Sequence, residues 1–149
     1  MMDNALSQEE AEAMLKMLKE SLIENISFPD KGTSTQFDVV GNTDKDLFTI
    51  HIFRGKINST KYNLGARIKK NGIMLLELHI NPSNVHINPD TEEKILGSHW
   101  HIYTQKYGRK FAFPAEDINK NDFVDTTIKF FDKFNIIKKP TVHYQEELF

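Results

Sequence analysis

Residues 61–80 read Lys-Tyr-Asn-Leu-Gly-Ala-Arg-Ile-Lys-Lys-Asn-Gly-Ile-Met-Leu-Leu-Glu-Leu-His-Ile. Two alternating runs flank Asn71-Gly72, a dipeptide that tolerates the positive φ of a tight hairpin turn. Which residues pair across the turn follows from which face is buried, because a one-residue slip sends every side chain to the other face. A two-residue loop would set Ala66 against Glu77 and Leu64 against His79. A three-residue loop with Gly72 in a bulge instead pairs Ile68 with Met74, Ala66 with Leu76, Leu64 with Leu78 and Tyr62 with Ile80. The second register is expected, and it gathers Asn63, Arg67, Glu77 and His79 on the opposite face.

On the amino-terminal side, strands are expected over 35–40 and 47–54, joined by a polar turn. Phe48, Ile50 and Ile52 then share one face, with His51 on the other between Thr49 and Phe53. Ser7 and Glu10 form a capping box, and Ala11, Met14, Leu15, Leu18 and Leu22 recur at helical spacing, which predicts a helix over 7–25. Phe28-Pro29-Asp30-Lys31-Gly32 ends it. On the carboxyl side, 81–97 reads as a loop longer than most connections in a compact domain. Strands over 99–104 and 110–113 follow, and Pro114 closes the sheet. A second helix starts near Asn121 or Asp122, with Asp125 in its first turn and Phe123, Thr127, Phe131 and Phe134 along one side. Lys138-Lys139-Pro140 is read as its end, and 141–149 as an extended tail whose apolar end, Leu148-Phe149, can close on the core or bind another chain. The sum is an α+β chain, a single domain over 1–149, with a mostly antiparallel sheet of about six strands and an N-terminal and a C-terminal helix packed against it.

The chain has no cysteine, which leaves histidine and carboxylate as its only strong metal ligands. Net charge is −2 with both signs interspersed, so no global positive field draws phosphate backbones; nucleic acid remains a possible but unfavoured partner. Neither a signal peptide nor a run of 18 apolar residues is visible, so a cytoplasmic protein with no membrane partner is expected. Glycine-rich phosphate loops, nucleophile elbows, His-Glu-x-x-His and EF-hand patterns are absent. The reading therefore leans away from an enzyme and expects no cofactor.

Four histidines, His79, His86, His99 and His101, fall close together, and His-Ile-Asn-Pro occurs at 79–82 and again at 86–89. On a strand, His99 and His101 point to one face, a geometry that lets two imidazoles share a metal. A third ligand can come from His79, or from His86, Asp90, Glu92 or Glu93 in the loop. Glu77 and His79 share a face as an acid–base pair with Arg67 as charge partner. The plainer reading has Trp100 and Ile102 inward and His99, His101 and Tyr103 exposed as cross-strand pairs or partner contacts. A cupin is excluded: His99-Trp100-His101 lacks that motif's upstream glycine and downstream glutamate. Trp100, Tyr103, Tyr107, Phe111 and Phe113, interleaved with Arg109 and Lys110, also make a candidate stacking platform for single strands.

The run His86-Ile87-Asn88-Pro89-Asp90, then Gly97-Ser98-His99-Trp100-His101-Ile102-Tyr103, then Phe111-Ala112-Phe113, resembles a family of small uncharacterised proteins of phages, prophages and other mobile elements of low-GC Gram-positive bacteria. The resemblance is sharpest over 79–114. That family carries no established activity, so no catalytic role transfers. What it implies is company: such proteins often bind and inhibit a host protein, including CRISPR nucleases, in the cytoplasm of the host bacterial cell. The first expectation is thus an anti-CRISPR-like inhibitor using the 81–97 loop (His86, Asp90, Glu92, Glu93) and the face of His99, His101 and Tyr103. The alternative is a His-dependent nuclease or phosphodiesterase, metal-assisted or not, in which His79, His99, His101 and Glu77 do the chemistry. A non-enzymatic nucleic-acid-binding module is third.

Overall fold

The computed structural model describes residues 6–145. Ser7 caps the first helix as its sequence requires: its hydroxyl accepts from the Glu10 N–H while the Glu10 carboxylate accepts from the Ser7 N–H. Helix α1 (Gln8–Lys16) nevertheless stops far short of residue 25. Leu18 and Leu22, which a continuing helical stripe would bury, are exposed, and Lys19 is buried in their place. Strand pairing overrides the local periodicity here. Strand β1 (Lys19–Ser21) inserts into the main sheet, and β2 (Asn25–Ser27) follows on a separate ribbon.

Strands β3 (Ser34–Val40), β4 (Leu47–Arg54), β5 (Tyr62–Ile68) and β6 (Met74–Ile80) form an antiparallel meander. At the β5–β6 turn, the Gly72 N–H bonds Ile68 O at 2.8 Å and the Ile68 N–H bonds Ile73 O at 2.9 Å, so Gly72, at φ 77°, is the bulge residue. Arg67 therefore faces Met74, where the sequence reading set Ile68. A second irregularity inserts Leu75 and restores Ala66–Leu76, Leu64–Leu78 and Tyr62–Ile80. Burial drives this correction, since the extra residue is a fully buried leucine.

The 81–97 segment contains a small hairpin, β7 (His86–Ile87) with β8 (Lys94–Ile95). Strands β9 (His99–Ile102) and β10 (Ala112–Pro114) then extend the sheet beside β6. Asp122 caps helix α2 (Phe123–Lys133) by accepting from the Asp125 N–H. This helix ends earlier than Lys138: Asn135 at φ 62° turns the chain, and β11 (Ile136–Lys138) runs parallel to β1. Strand β12 (Thr141–His143) pairs in parallel with β2, so much of the expected tail is structured. Leu148 and Phe149 lie outside the described residues.

The main sheet has eight strands, not six, in the order β10-β9-β6-β5-β4-β3-β1-β11, and it is antiparallel apart from β1–β11. One face carries Phe37, Phe48, Ile50, Leu64, Leu78 and Trp100, and α2 lies on it. Phe130 stacks on Trp100 at 6.1 Å, and Phe131 and Phe134 meet Phe37 and Phe48 edge-on at 5.5 and 5.4 Å. Such aromatic pairs supply both large buried area and a preferred geometry. Among the described residues no helix is long and apolar enough to cross a membrane. With α2 on the first face, the histidines fall on the second.

Candidate metal centre

Strand register alone assembles the polar face. One cross-strand row runs Gln36, His51, Gly65, Glu77, His101, Ala112, and the next runs Phe53, Asn63, His79, His99, Pro114. Glu77 beside His101 and His79 beside His99 thus form a square on β6 and β9. The β7–β8 hairpin lies over it, bringing the His86 ring to 4.9 Å from His101 and 5.4 Å from His99. His99 and His101 are buried beneath it, His79 only partly.

Nitrogen atoms of His79, His99 and His101 lie within 4.8 Å of one another. Their protons can be placed from their neighbours. Gly97 O can only accept, so the bond of 2.9 Å to His99 Nδ1 puts the proton there and leaves Nε2 basic. The Glu77 carboxylate likewise accepts from His79 Nε2–H at 3.2 Å, which leaves Nδ1 basic. These are the outer contacts that hold metal-ligating imidazoles in one tautomer and orientation. Burial lowers the pKa of His99 and pushes that of His101 down to about 4, so both rings are neutral at pH 7 and able to donate a lone pair. His101 Nδ1 is, among the described residues, the one buried side-chain nitrogen or oxygen without a hydrogen-bond partner. An orphan of this kind costs about 1–3 kcal/mol unless something binds it.

Glu77 is held from outside the square. Arg109, on the turn between β9 and β10, grips it with Nε on Oε2 at 2.7 Å and Nη2 on Oε1. Burial alone would raise the Glu77 pKa, but the bonds from His79 and Arg109 outweigh it and hold the carboxyl low. Arg67 is not the partner of Glu77, as the sequence reading had it. Its guanidinium donates to His51 Nδ1 at 3.1 Å and to Gln36. Gly65 makes room for that His51 ring, because a Cβ there would stand 2.3 Å from His51 Cε1. Burial, followed by the Arg67 charge, lowers the His51 pKa.

The loop residues separate into three roles. Buried Asn88 accepts from the Ala112 N–H at 2.7 Å and donates to Ala112 O at 2.9 Å, tying the hairpin to β10. Glu93 receives the same amide at 3.2 Å. Asp90 bonds the Tyr107 hydroxyl at 2.9 Å at the hairpin turn, where Asp90 and Glu92 both have positive φ. None of these three carboxylates joins the metal-ligating group of the described residues. Tyr103 is also displaced from the expected contact face: it is buried, with its hydroxyl donating to Leu6 O and accepting from the Leu6 N–H at 2.8 Å. The repeated His-Ile-Asn-Pro acquires a meaning, since Asn81 bonds Ser98 Oγ and Thr60 O at one end of the strap while Asn88 anchors its middle. Arg109, expected only within a stacking platform, and Asn88 were not placed beside the histidines by the sequence because their partners, Glu77 and Ala112, are distant along the chain.

A family of unknown function, DUF6978, matches residues 6–136, and the chain belongs to it. No curated protein and no solved structure matches.

Proposed function

We propose that this DUF6978 protein is a metal-binding protein whose centre is the histidine square, with a divalent transition-metal ion held by His79, His99 and His101. The observation that carries this is the convergence of three imidazoles with nitrogens within 4.8 Å of one another, one of which, His101, carries a buried Nδ1 without a partner. The donor set is all nitrogen, which suits zinc, cobalt, nickel or copper better than magnesium or calcium. Three ligands alone would leave a fourth position open for a water whose pKa the ion lowers toward ~7, the chemistry of a metal-assisted phosphodiesterase, whereas a fourth protein ligand would make the centre structural. Glu77 orients His79, and Arg109 keeps Glu77 ionised. Metal-free protein should take up one equivalent of zinc, and the His99→Ala/His101→Ala double variant none, by elemental analysis after gel filtration. Wild-type protein that elutes without metal after incubation with zinc, cobalt and manganese would sink the reading.

The hairpin favours a second reading, the binding of a host protein by a mobile-element inhibitor. Register places Val85, Ile87 and Leu96 together on its outer side, 48%, 58% and 74% exposed, while Ile95 faces inward. Three apolar side chains on the outer side of one strap suit a protein partner. Nucleic acid is favoured less, because three of the basic residues are engaged by carboxylates: Lys69 with Asp38, Arg109 with Glu77, Lys106 with Asp90. An Ile87→Asp/Leu96→Asp variant should lose any partner that the wild type retains in a pull-down from a host lysate and any nuclease inhibition. Inhibition that survives both substitutions would remove the hairpin from the contact.

A further inference from the structure

We infer that His86 is the fourth ligand of this centre, so that the bound metal is enclosed by four imidazoles and pins the β7–β8 hairpin to the sheet. The inference rests on the metal-binding reading and adds to it the coordination number and the role of the ion.

Ring spacing is the first argument. A zinc–nitrogen bond of about 2.05 Å plus the distance from a ring nitrogen to its centroid puts each imidazole centre about 3.2 Å from the ion. Tetrahedral angles then separate ring centres by about 5.2 Å. Within the square the separations are 5.2 Å for His79–His99, 4.8 Å for His79–His101 and 4.9 Å for His99–His101. His86, which comes from a different element, stands at 4.9 Å from His101 and 5.4 Å from His99. Its nitrogens lie outside the 4.8 Å group that the other three form, so a bound ion would draw the hairpin inward to complete the shell. Rings packed for their own sake also meet at roughly 4.5–7 Å, as Phe28 and Tyr62 do at 5.2 Å, so the spacing admits the ion and the ring nitrogens have to select it.

Tautomer is the second. His86 Nε2 lies 3.0 Å from Asn88 Oδ1. That oxygen cannot be exchanged with the amide nitrogen, because Ala112 offers an N–H to one side of Asn88 and a C=O to the other. Asn88 Oδ1 therefore accepts, the proton sits on His86 Nε2, and Nδ1 is left as the donor atom. His86 has the outer contact of a metal ligand, as His79 and His99 do.

A closed four-ligand centre is the structural type, in contrast to catalytic sites that keep a position open. Here it would tie the strap between Asn81 and Ser98 to strands β6 and β9, beside the anchors that Asn88 and Ile95 already supply. The metal then presents Val85, Ile87 and Leu96 on a fixed support.

Cobalt(II) is the probe, added to metal-free wild type, His86→Ala and His86→Cys, with amide exchange followed over residues 82–96. Wild type should give the intense visible bands of tetrahedral cobalt and a protected hairpin. His86→Ala should bind at least tenfold more weakly, with weak bands of higher coordination and no metal-dependent protection. His86→Cys should restore tetrahedral bands and add a sulfur-to-cobalt charge-transfer band, a signal that only coordination at position 86 produces. Cobalt bound equally by wild type and His86→Ala, with no charge-transfer band in His86→Cys, overturns the inference and leaves a three-histidine open site. Failure of wild type to bind cobalt or zinc at all overturns the metal-binding reading itself.

Discussion

At the scale of single residues, Lys19 is the most unusual placement in the fold. It is fully buried, and its Nζ donates to Met17 O and Phe134 O at 2.8 Å and to Leu15 O at 3.3 Å, with the Phe134 ring 3.8 Å away. Those carbonyls close the C-terminal ends of α1 and α2, so one ammonium serves the negative ends of two helix dipoles. Burial, with no carboxylate among its described contacts, pushes the Lys19 pKa from 10.5 down to about 7. The unfolded chain then binds more protons than the folded one between pH 7 and 10.5, so this residue makes stability rise with pH across that window and adds nothing to the slope below it. Lys19→Met leaves three carbonyls without a donor but abolishes the titration. Urea unfolding at pH 7, 8.5 and 10 should show a midpoint deficit that is smallest at pH 7 and widens toward pH 10, the pH dependence being flattened by on the order of 1–3 kcal/mol. An unchanged slope would assign the titration to other groups. Gly65 is a second such position: Gly65→Ala sets a Cβ 2.3 Å from His51 Cε1 and 2.6 Å from Met74 Cε. Thermal unfolding should record a loss of about 1–3 kcal/mol, since the ring must leave Arg67 to make room.

Elements differ in how far their own sequence announces them. The meander of β3 to β6 was legible because alternation and Asn-Gly are local signals, and His99 with His101 could be placed on one face from a period of two. The meeting of that pair with His79 was legible only in part, since it needs the pairing of β6 with β9 across the 81–97 strap. Hairpin β7–β8, with two residues in each strand, is too short for any periodic signal, and its place over the square depends on Asn88 finding Ala112. That dependence can be measured. Asn88→Ala leaves the Ala112 N–H and C=O buried without partners, which should cost about 2–4 kcal/mol and raise amide exchange through 82–96. Asn88→Asp keeps an acceptor for the Ala112 N–H but sets a carboxylate against Ala112 O and Glu93, so it should not rescue stability. Equal melting temperatures for wild type and both variants would mean that the strap is not held through Asn88.

For the molecule as a whole, closure comes from the carboxyl side, and here local reading fails for a physical reason. Strands β11 and β12 have three residues each and pair in parallel with β1 and β2, which lie more than a hundred residues earlier in the chain. Parallel partners so distant leave no trace in short-range spacing, so 7–25 looked like one helix and 141–149 like a tail. Burial shows how much depends on the pairing. Arg54 is enclosed by Phe123 at 4.6 Å and by Phe28 and Tyr144 at 5.7 Å, with Nε donating to Ser59 O at 2.8 Å. Tyr144 also meets Phe123 at 5.0 Å, so the segment after Pro140 forms one wall of an aromatic cage spanning the β2 ribbon, β4 and the start of α2. Ending the chain after residue 139 removes that wall and the strand beside Ile26 together. Because the cage is shared by three elements, the loss should be felt cooperatively and not as fraying: a midpoint lowered by at least 5 °C, with far-ultraviolet dichroism and Trp100 fluorescence moving together. Trp100 lies against Phe130 on the other half of the sheet, far from the deletion in pairing order, which makes its fluorescence the discriminating probe. A Trp100 transition that keeps the full-length midpoint while dichroism shifts would show that the sheet unfolds in two independent parts, with the histidine square on the half that does not need β12.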